Sequence, residues 1–505
     1  MHWIDVSIMA AYMIGITIIG VLSRGKGEDA EDYFVAGGSQ HSWFESVLVG
    51  LSIAATFFSG ISFIAYPSVV YSNGVLLPVW GVLVCLPIQY TILRYWFLPR
   101  YLAGGWAFPY QVIESRFGPA ARTFAAGLYV LMRIGWMAAM IYAPTLAIIT
   151  MGRLDQRWFW PIVLITGLSN TLYTVVSGVR GVIVTEALHI PVIAFGVAAT
   201  IISAWWQMPV PVGEALADVA RQGRFDVLNF SIDPTSPLTV WTVLLGVSLG
   251  NLANYIGDPM SLQRYLMIGD ARVAARSFAV NIIGVVIVVS LLSTVGLSMF
   301  AFYSHTADPT LPSKPDQVFP HFVATRLPPG VAGLLLAALL AATGIPSGIN
   351  ALASVLTIDF HTRFLPSTTP TQALWWGRVY SLLLGALATV TAGFLSKLGT
   401  IFEMSQVILG VFAGPLLTCV AVAVAGWRCT GPAMIAGMLT GWATGVAVSL
   451  SGAAPSWAAP SSSLATLASA LIFTHLAPRA TRSSRFEACV PPNESVATDP
   501  LGPAS

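Results

Sequence analysis

Charge is what this sequence has least of. Asp, Glu, Lys and Arg make up 9% of its 505 residues, against roughly 25% in soluble domains. A chain so poor in charge cannot clothe a set of water-soluble domains, and that class is excluded. The net charge of +2 gives no basic face for a nucleic-acid partner. Cysteine is scarce too. Cys85, Cys419, Cys429 and Cys489 have no metal-ligand spacing, so they read as packing or incidental residues. No H-E-x-x-H, G-x-S-x-G, Walker A or kinase-like set occurs, and the histidines are scattered. Nothing points to an enzyme, to an organic cofactor or to an obligatory protein partner.

What the chain has instead is apolar sequence, 56% of it, gathered in runs long enough to span a bilayer. They fall near 3–23, 43–66, 75–98, 121–150, 158–178, 182–206, 239–257, 275–303, 329–359, 374–398, 400–427, 431–451 and 460–478. The expected fold is therefore an all-α polytopic membrane protein of about thirteen helices. Residues 1–479 form one transmembrane domain, and the polar, Pro/Ser-rich stretch 480–505 is expected to be a disordered tail. The first run has no basic start or cleavage site and contains Asp5, so it reads as a retained span. Arginines cluster on alternate loops, and the bias favours an N-terminus outside and a C-terminus in the cytoplasm of the plasma (inner) membrane. Arg133 is left inside the fourth span, where it snorkels, pairs or lines a cavity.

Two spans look unfit to be continuous helices. The stretch Phe44 to Gly74 is apolar, but its middle is Gly50, Ser52, Ala54, Ala55, Thr56, Ser59 and Gly60. Small residues let another backbone, an ion or a solute come close. A weak helix also frees carbonyls and amides that only a polar cavity can satisfy. The span 239–257 has the same character, with Gly246, Gly250, Asn251, Asn254 and Gly257 interrupting it. It comes five spans later. Two five-helix copies would then face opposite ways, and paired interruptions in inverted copies point to a midplane binding site. The plainer reading, close helix packing with Asn251 and Asn254 bonding neighbours, stays open.

Several polar residues stand near such places. Glu186 is an acid next to a span, either functional or a cap on a helix beginning after Arg180. Glu403 and Gln406 are one turn apart, with Gln406 the deeper. Leu340, Thr343 and Gly344 fall on one side of a helix, and Pro346 frees a carbonyl near Ala342. Free carbonyls with the Thr343 hydroxyl make a hard-oxygen set suited to an alkali cation, or else a kinked helix with a back-bonded threonine.

At these residues the chain resembles the sodium/solute symporter family, which includes the proline, pantothenate, galactose and monocarboxylate symporters. The matching segments are EDYFVAGGSQHSWFESVLVGLSIAATFFSG at 31–60, VVYSNG at 69–74, ESRFG at 114–118, TEALH at 185–189, LQRYL at 262–266 and NALASVLTID at 350–359. They occur in order from about residue 30 to about residue 430. The resemblance implies a LeuT-type core of two inverted five-helix repeats with broken first helices, here about 43–206 and 239–427. It implies sodium-coupled symport of a small polar organic solute by alternating access. It places a sodium site on the carbonyls of Ala55, Phe58 and Leu340 and on two hydroxyl positions, Thr343 and Gly344, the second of which lacks its hydroxyl here. The family's acid near the inner sodium route falls on Glu186, and its substrate contacts fall on Ser62, Asn251 and Gln406. Proton coupling through Glu186 and a transporter-like membrane sensor without uptake are the alternatives.

Overall fold

The computed structural model describes residues 2–23, 60–341, 344–361, 365, 367 and 369–476. Every regular element among them is helical: α1 Trp3–Leu22, α2 Gly60–Asn73, α3 Leu76–Leu102, α4 Gln111–Phe117, α5 Pro119–Gly152, α6 Phe159–Trp206, α7 Val212–Arg221, α8 Thr242–Ile256 and α9 Pro259–Ile268. There follow α10 Ala271–His305, α11 Pro315–Arg326, α12 Val331–Ala341, α13 Ile345–Val355, α14 Pro370–Phe394, α15 Ile401–Ala425, α16 Gly431–Leu450 and α17 Ala458–Leu476. Among the described residues, ten stretches are long and apolar enough to cross a membrane. The short α2 and α8, and α17, stand at the places of the three other expected spans. Ala55, Phe58, Thr343 and the stretch 480–505 lie outside the described residues.

The helices pack through small residues, as lipid-embedded helices must where no hydrophobic drive separates partner from solvent. On α16, Gly437, Gly441 and Gly445 recur every fourth residue; the first two face α17 and the third packs between α15 and α17. A Cβ added at Gly441 would lie 1.9 Å from Thr466 Oγ1, so this contact accepts no larger side chain. Buried carboxylates tie helix ends together. Asp5 Oδ1 accepts from Gly330 N at 2.7 Å and from Gly333 N at 3.0 Å, which caps α12 from α1.

Three expectations about helix continuity are corrected. The runs 158–178 and 182–206 are not two separately started helices, since winding continues through α6. The Tyr173 hydroxyl nevertheless bonds Thr185 Oγ1. Twelve residues of straight helix advance about 18 Å, beyond the joint reach of those side chains, so α6 bends sharply between them. The run 329–359 is not one kinked helix either. Its described first part runs to Ala341, and Gly344 takes the left-handed conformation with φ +68°. Pro346 then sits in the first turn of α13, where its missing N–H costs nothing. Gly344 therefore does not share a helix face with Leu340. In the span 239–257 the interruption falls at its far end, at Gly257–Asp258, between α8 and α9. Gly246 instead makes room for the Ser456 carbonyl.

Candidate solute and ion sites

The central cavity is small, about 100 Å³, and lies where α2, α3, α5, α8, α10 and α15 meet. Ser62 reaches it from α2, Asn251 and Asn254 from α8, and Gln406 from α15. The three substrate contacts expected from the sequence, far apart in the chain, thus line one space. Aromatic rings complete the wall: Tyr66, Trp136, Tyr255 and Phe402. No Asp, Glu, Lys, Arg or His is among the described lining residues. The side chains of Asn251, Asn254 and Gln406 have no hydrogen-bond partner among the described residues. Amides buried only to hold helices together would be bonded across the contact; these leave their donors and acceptors to whatever fills the cavity.

Local winding sets these positions. The first part of α8, Thr242–Val247, and the segment Val79–Val84 of α3 wind as π-helix. That winding inserts extra residues per turn and is frequent where function needs a side chain re-aimed. Gln89 of α3 donates to the Ser248 carbonyl at 3.0 Å and so fixes these two helices side by side.

Phe402 and Gln406 also line a second, outer cavity of about 170 Å³ that holds Ser68, Ser72, Asn73, Thr400 and Glu403. They form the partition between the two. Here Glu403 separates from Gln406 in role. Its carboxylate accepts from Thr400 N at 2.7 Å while Thr400 Oγ1 accepts from Glu403 N at 3.3 Å, a capping box at the start of α15. Asp316 of α11 adds a bond from Ile401 N at 2.8 Å. Burial raises the Asp316 pKa above its ordinary value, opposed by its bonds to Ser68 and Ile401.

Below the cavity lies a chain of charges. Arg133 Nη2 is 3.1 Å from Asp258 Oδ2, both side chains being under a tenth exposed. Arg133 therefore pairs; it neither snorkels nor enters the lining. Asp258 caps α9 through Met260 N at 2.8 Å, and the Tyr110 hydroxyl donates to the Gly257 carbonyl at 2.8 Å. The break is thus satisfied by α4, α5 and its own cap. Arg264 of α9 lies within electrostatic reach of both Asp258 and Glu186. Glu186 in turn accepts from Ser347 Oγ of α13 at 2.5 Å. It caps no helix start, because α6 winds through that position. The sequence reading missed Asp258, although Gly257–Asp258–Pro259 is a stop, a cap and a start in three residues. It also missed Ser347.

Of the expected sodium ligands, Leu340 is buried in the last turn of α12 and Gly344 stands at the gap before α13. Any L-residue at 344 would be strained by roughly 1–2 kcal/mol, so a serine there does not simply restore the missing hydroxyl.

A family model, the sodium:solute symporter family, matches residues 33–441. The chain belongs to that family. The human sodium/iodide cotransporter is 29% identical over 457 residues, covering 88% of this chain and 69% of its own. Human sodium-coupled monocarboxylate transporter 1 is 27% identical over 429 residues, covering 83% and 69%. Among solved structures, the substrate-bound outward-open state of a Na+-coupled sialic acid symporter aligns with TM-score 0.81 at 22% identity, over 94% of this chain and 98% of that one. That likeness carries the fold, the LeuT-type core, on a multi-pass integral membrane protein. The family and these relatives are transporters rather than enzymes.

The buried pair makes a direct prediction for this symporter. Removing one partner leaves an uncompensated charge, at a cost of about 3–5 kcal/mol. Arg133→Gln and Asp258→Asn should each lower the thermal unfolding temperature of the purified protein markedly. The double variant should recover most of the loss; a double variant no more stable than either single one would deny the pairing its part.

Proposed function

We propose that the protein carries a small polar solute, either uncharged or bearing one negative charge, together with sodium. The convergence of Ser62, Asn251 and Gln406 on one cavity is the observation that carries this reading. A cationic solute would sit desolvated with no carboxylate among the described lining residues, which is costly. A monoanion meets amide and hydroxyl donors, and the sodium carried with it offsets its charge. Iodide and monocarboxylates, named for two relatives, are solutes of that kind.

In this reading Ser62, Asn251 and Gln406 hold the solute. Phe402 separates it from the outer cavity. Sodium is a co-substrate, held by the carbonyls of Ala55, Phe58 and Leu340 and by the Thr343 hydroxyl beside the gap at Gly344. The left-handed turn at Gly344 supports this, because backbone freed within a membrane needs a partner. Glu186 and Ser347 stand on the route by which the ion leaves inward.

A thermal-shift screen of small anions and neutral polar solutes, with sodium and with choline in its place, tests the reading. Stabilisation should require sodium. Asn251→Ala and Gln406→Ala should each weaken the stabilising solute by about 0.5–1.5 kcal/mol, roughly three- to tenfold in affinity. Thr343→Ala should remove most of the sodium requirement. Solute affinity unchanged in both amide variants, or full sodium dependence in Thr343→Ala, would move the sites elsewhere.

The orientation belongs to the same proposal: N-terminus outside, C-terminus in the cytoplasm of the plasma membrane, from the arginine bias. A C-terminal green fluorescent protein fusion should fluoresce and a C-terminal alkaline phosphatase fusion should be inactive. The opposite pattern would invert the topology.

A further inference from the structure

Apart from the central cavity, a groove of about 860 Å³ lies on the outside of the bundle. One wall is α5 from Pro119 to Leu131; the other is Leu356 and Phe360, which continue α13, with Ile435 of α16 beside them. A Cβ added at Gly127 in this wall would meet nothing within 4 Å. That glycine makes a recess and not a helix contact. From Pro119 to Leu131 the helix advances about 18 Å, close to the depth of one leaflet in a hydrocarbon core of about 30 Å. The groove opens at the end of α5, where the chain meets the membrane surface.

That end is cationic. Arg116, three residues before Pro119, is exposed, and its guanidinium lies 3.2 Å from where a Cβ of Gly426 would stand. Trp427 and Arg428 follow at once, both exposed. Neither Arg116 nor Arg428 has an acidic partner among the described residues, whereas Arg122 is paired with Glu114 at 2.7 Å. An apolar slot one leaflet deep, with exposed arginines lacking an acidic partner and a tryptophan in the segments that adjoin its Pro119 end, has the chemistry of a phospholipid site.

We propose that the groove holds an acyl chain of an anionic phospholipid whose headgroup is bound by Arg116 and Arg428. The occupied groove braces Leu356 and Phe360, and through them α13, the helix that carries Ser347 to Glu186. The site is independent of the solute reading.

Native mass spectrometry of the full chain, loaded with phosphatidylglycerol or with phosphatidylcholine of the same acyl chains, tests it. Wild type should retain phosphatidylglycerol in preference. Arg116→Gln and Arg428→Gln should each reduce that retention by about fivefold and leave phosphatidylcholine unaffected. Gly127→Leu should fill the recess and reduce both lipids. Equal retention of the two lipids by wild type overturns the proposal, as does a Gly127→Leu protein that binds phosphatidylglycerol undiminished. A dimer crosslinked through Thr123→Cys would show a second copy on this face and overturn it too. Should Gly127→Leu fail to fold, the arginine variants decide by the same criterion.

Discussion

Within a bilayer every backbone amide and carbonyl must find a partner inside the protein. This chain breaks its membrane helices all the same, and much of its architecture follows from how those breaks are satisfied. At Gly257–Asp258 the freed groups are taken up by the Tyr110 hydroxyl and by the Asp258 side chain, which caps α9. Asp258 is then a charge in a low-dielectric place, and Arg133 answers it. Before α13 the chain turns at Gly344, and Pro346 starts the helix beside the Glu186–Ser347 contact. Helices interrupted in this way cannot be packed by apolar side chains alone. The cavity beside them is lined by amides from α8 and α15 and by the Ser62 hydroxyl of α2.

Charge is kept out of the described cavity lining. That lining has amides, hydroxyls and rings, and one set of ionised groups stands apart from it in opposite-sign neighbours from Arg133 to Glu186. In the proposed reading a desolvated solute meets dipoles, whose orientation serves an uncharged molecule or a small anion. The ionised chain links α5, α9 and α6 and reaches α13 through Ser347.

Much of this was legible beforehand. Long apolar runs disclosed the spans, because only continuous helices and closed barrels satisfy their backbone in lipid. Ser62, Asn251 and Gln406, assigned through the family resemblance, line one cavity, while the small-residue centre of Phe44 to Gly74 lies outside the described residues but for Gly60. What stayed hidden has physical reasons. The Arg133–Asp258 pair joins helices distant in sequence, and no local pattern records which charge meets which. The π-helical turns of α3 and α8 follow from packing and not from propensity. A helical period drawn through Leu340, Thr343 and Gly344 assumed continuity that the left-handed Gly344 denies. The bend in α6 conceals itself in uninterrupted winding. Glu403 and Gln406 looked alike in sequence, and only the capping box at Thr400 assigns the first to helix structure.

The central claim is that a sodium gradient drives solute uphill through this cavity. Its most direct measurement is accumulation of a stabilising, radiolabelled solute in proteoliposomes holding the purified protein, with an inward sodium gradient and equal pH on both sides. The account predicts an internal concentration that rises above the external one and collapses to it when the sodium gradient is dissipated. Uptake that stops at equal concentrations, or that ignores sodium, follows an imposed proton gradient and fails in Glu186→Gln, would contradict it.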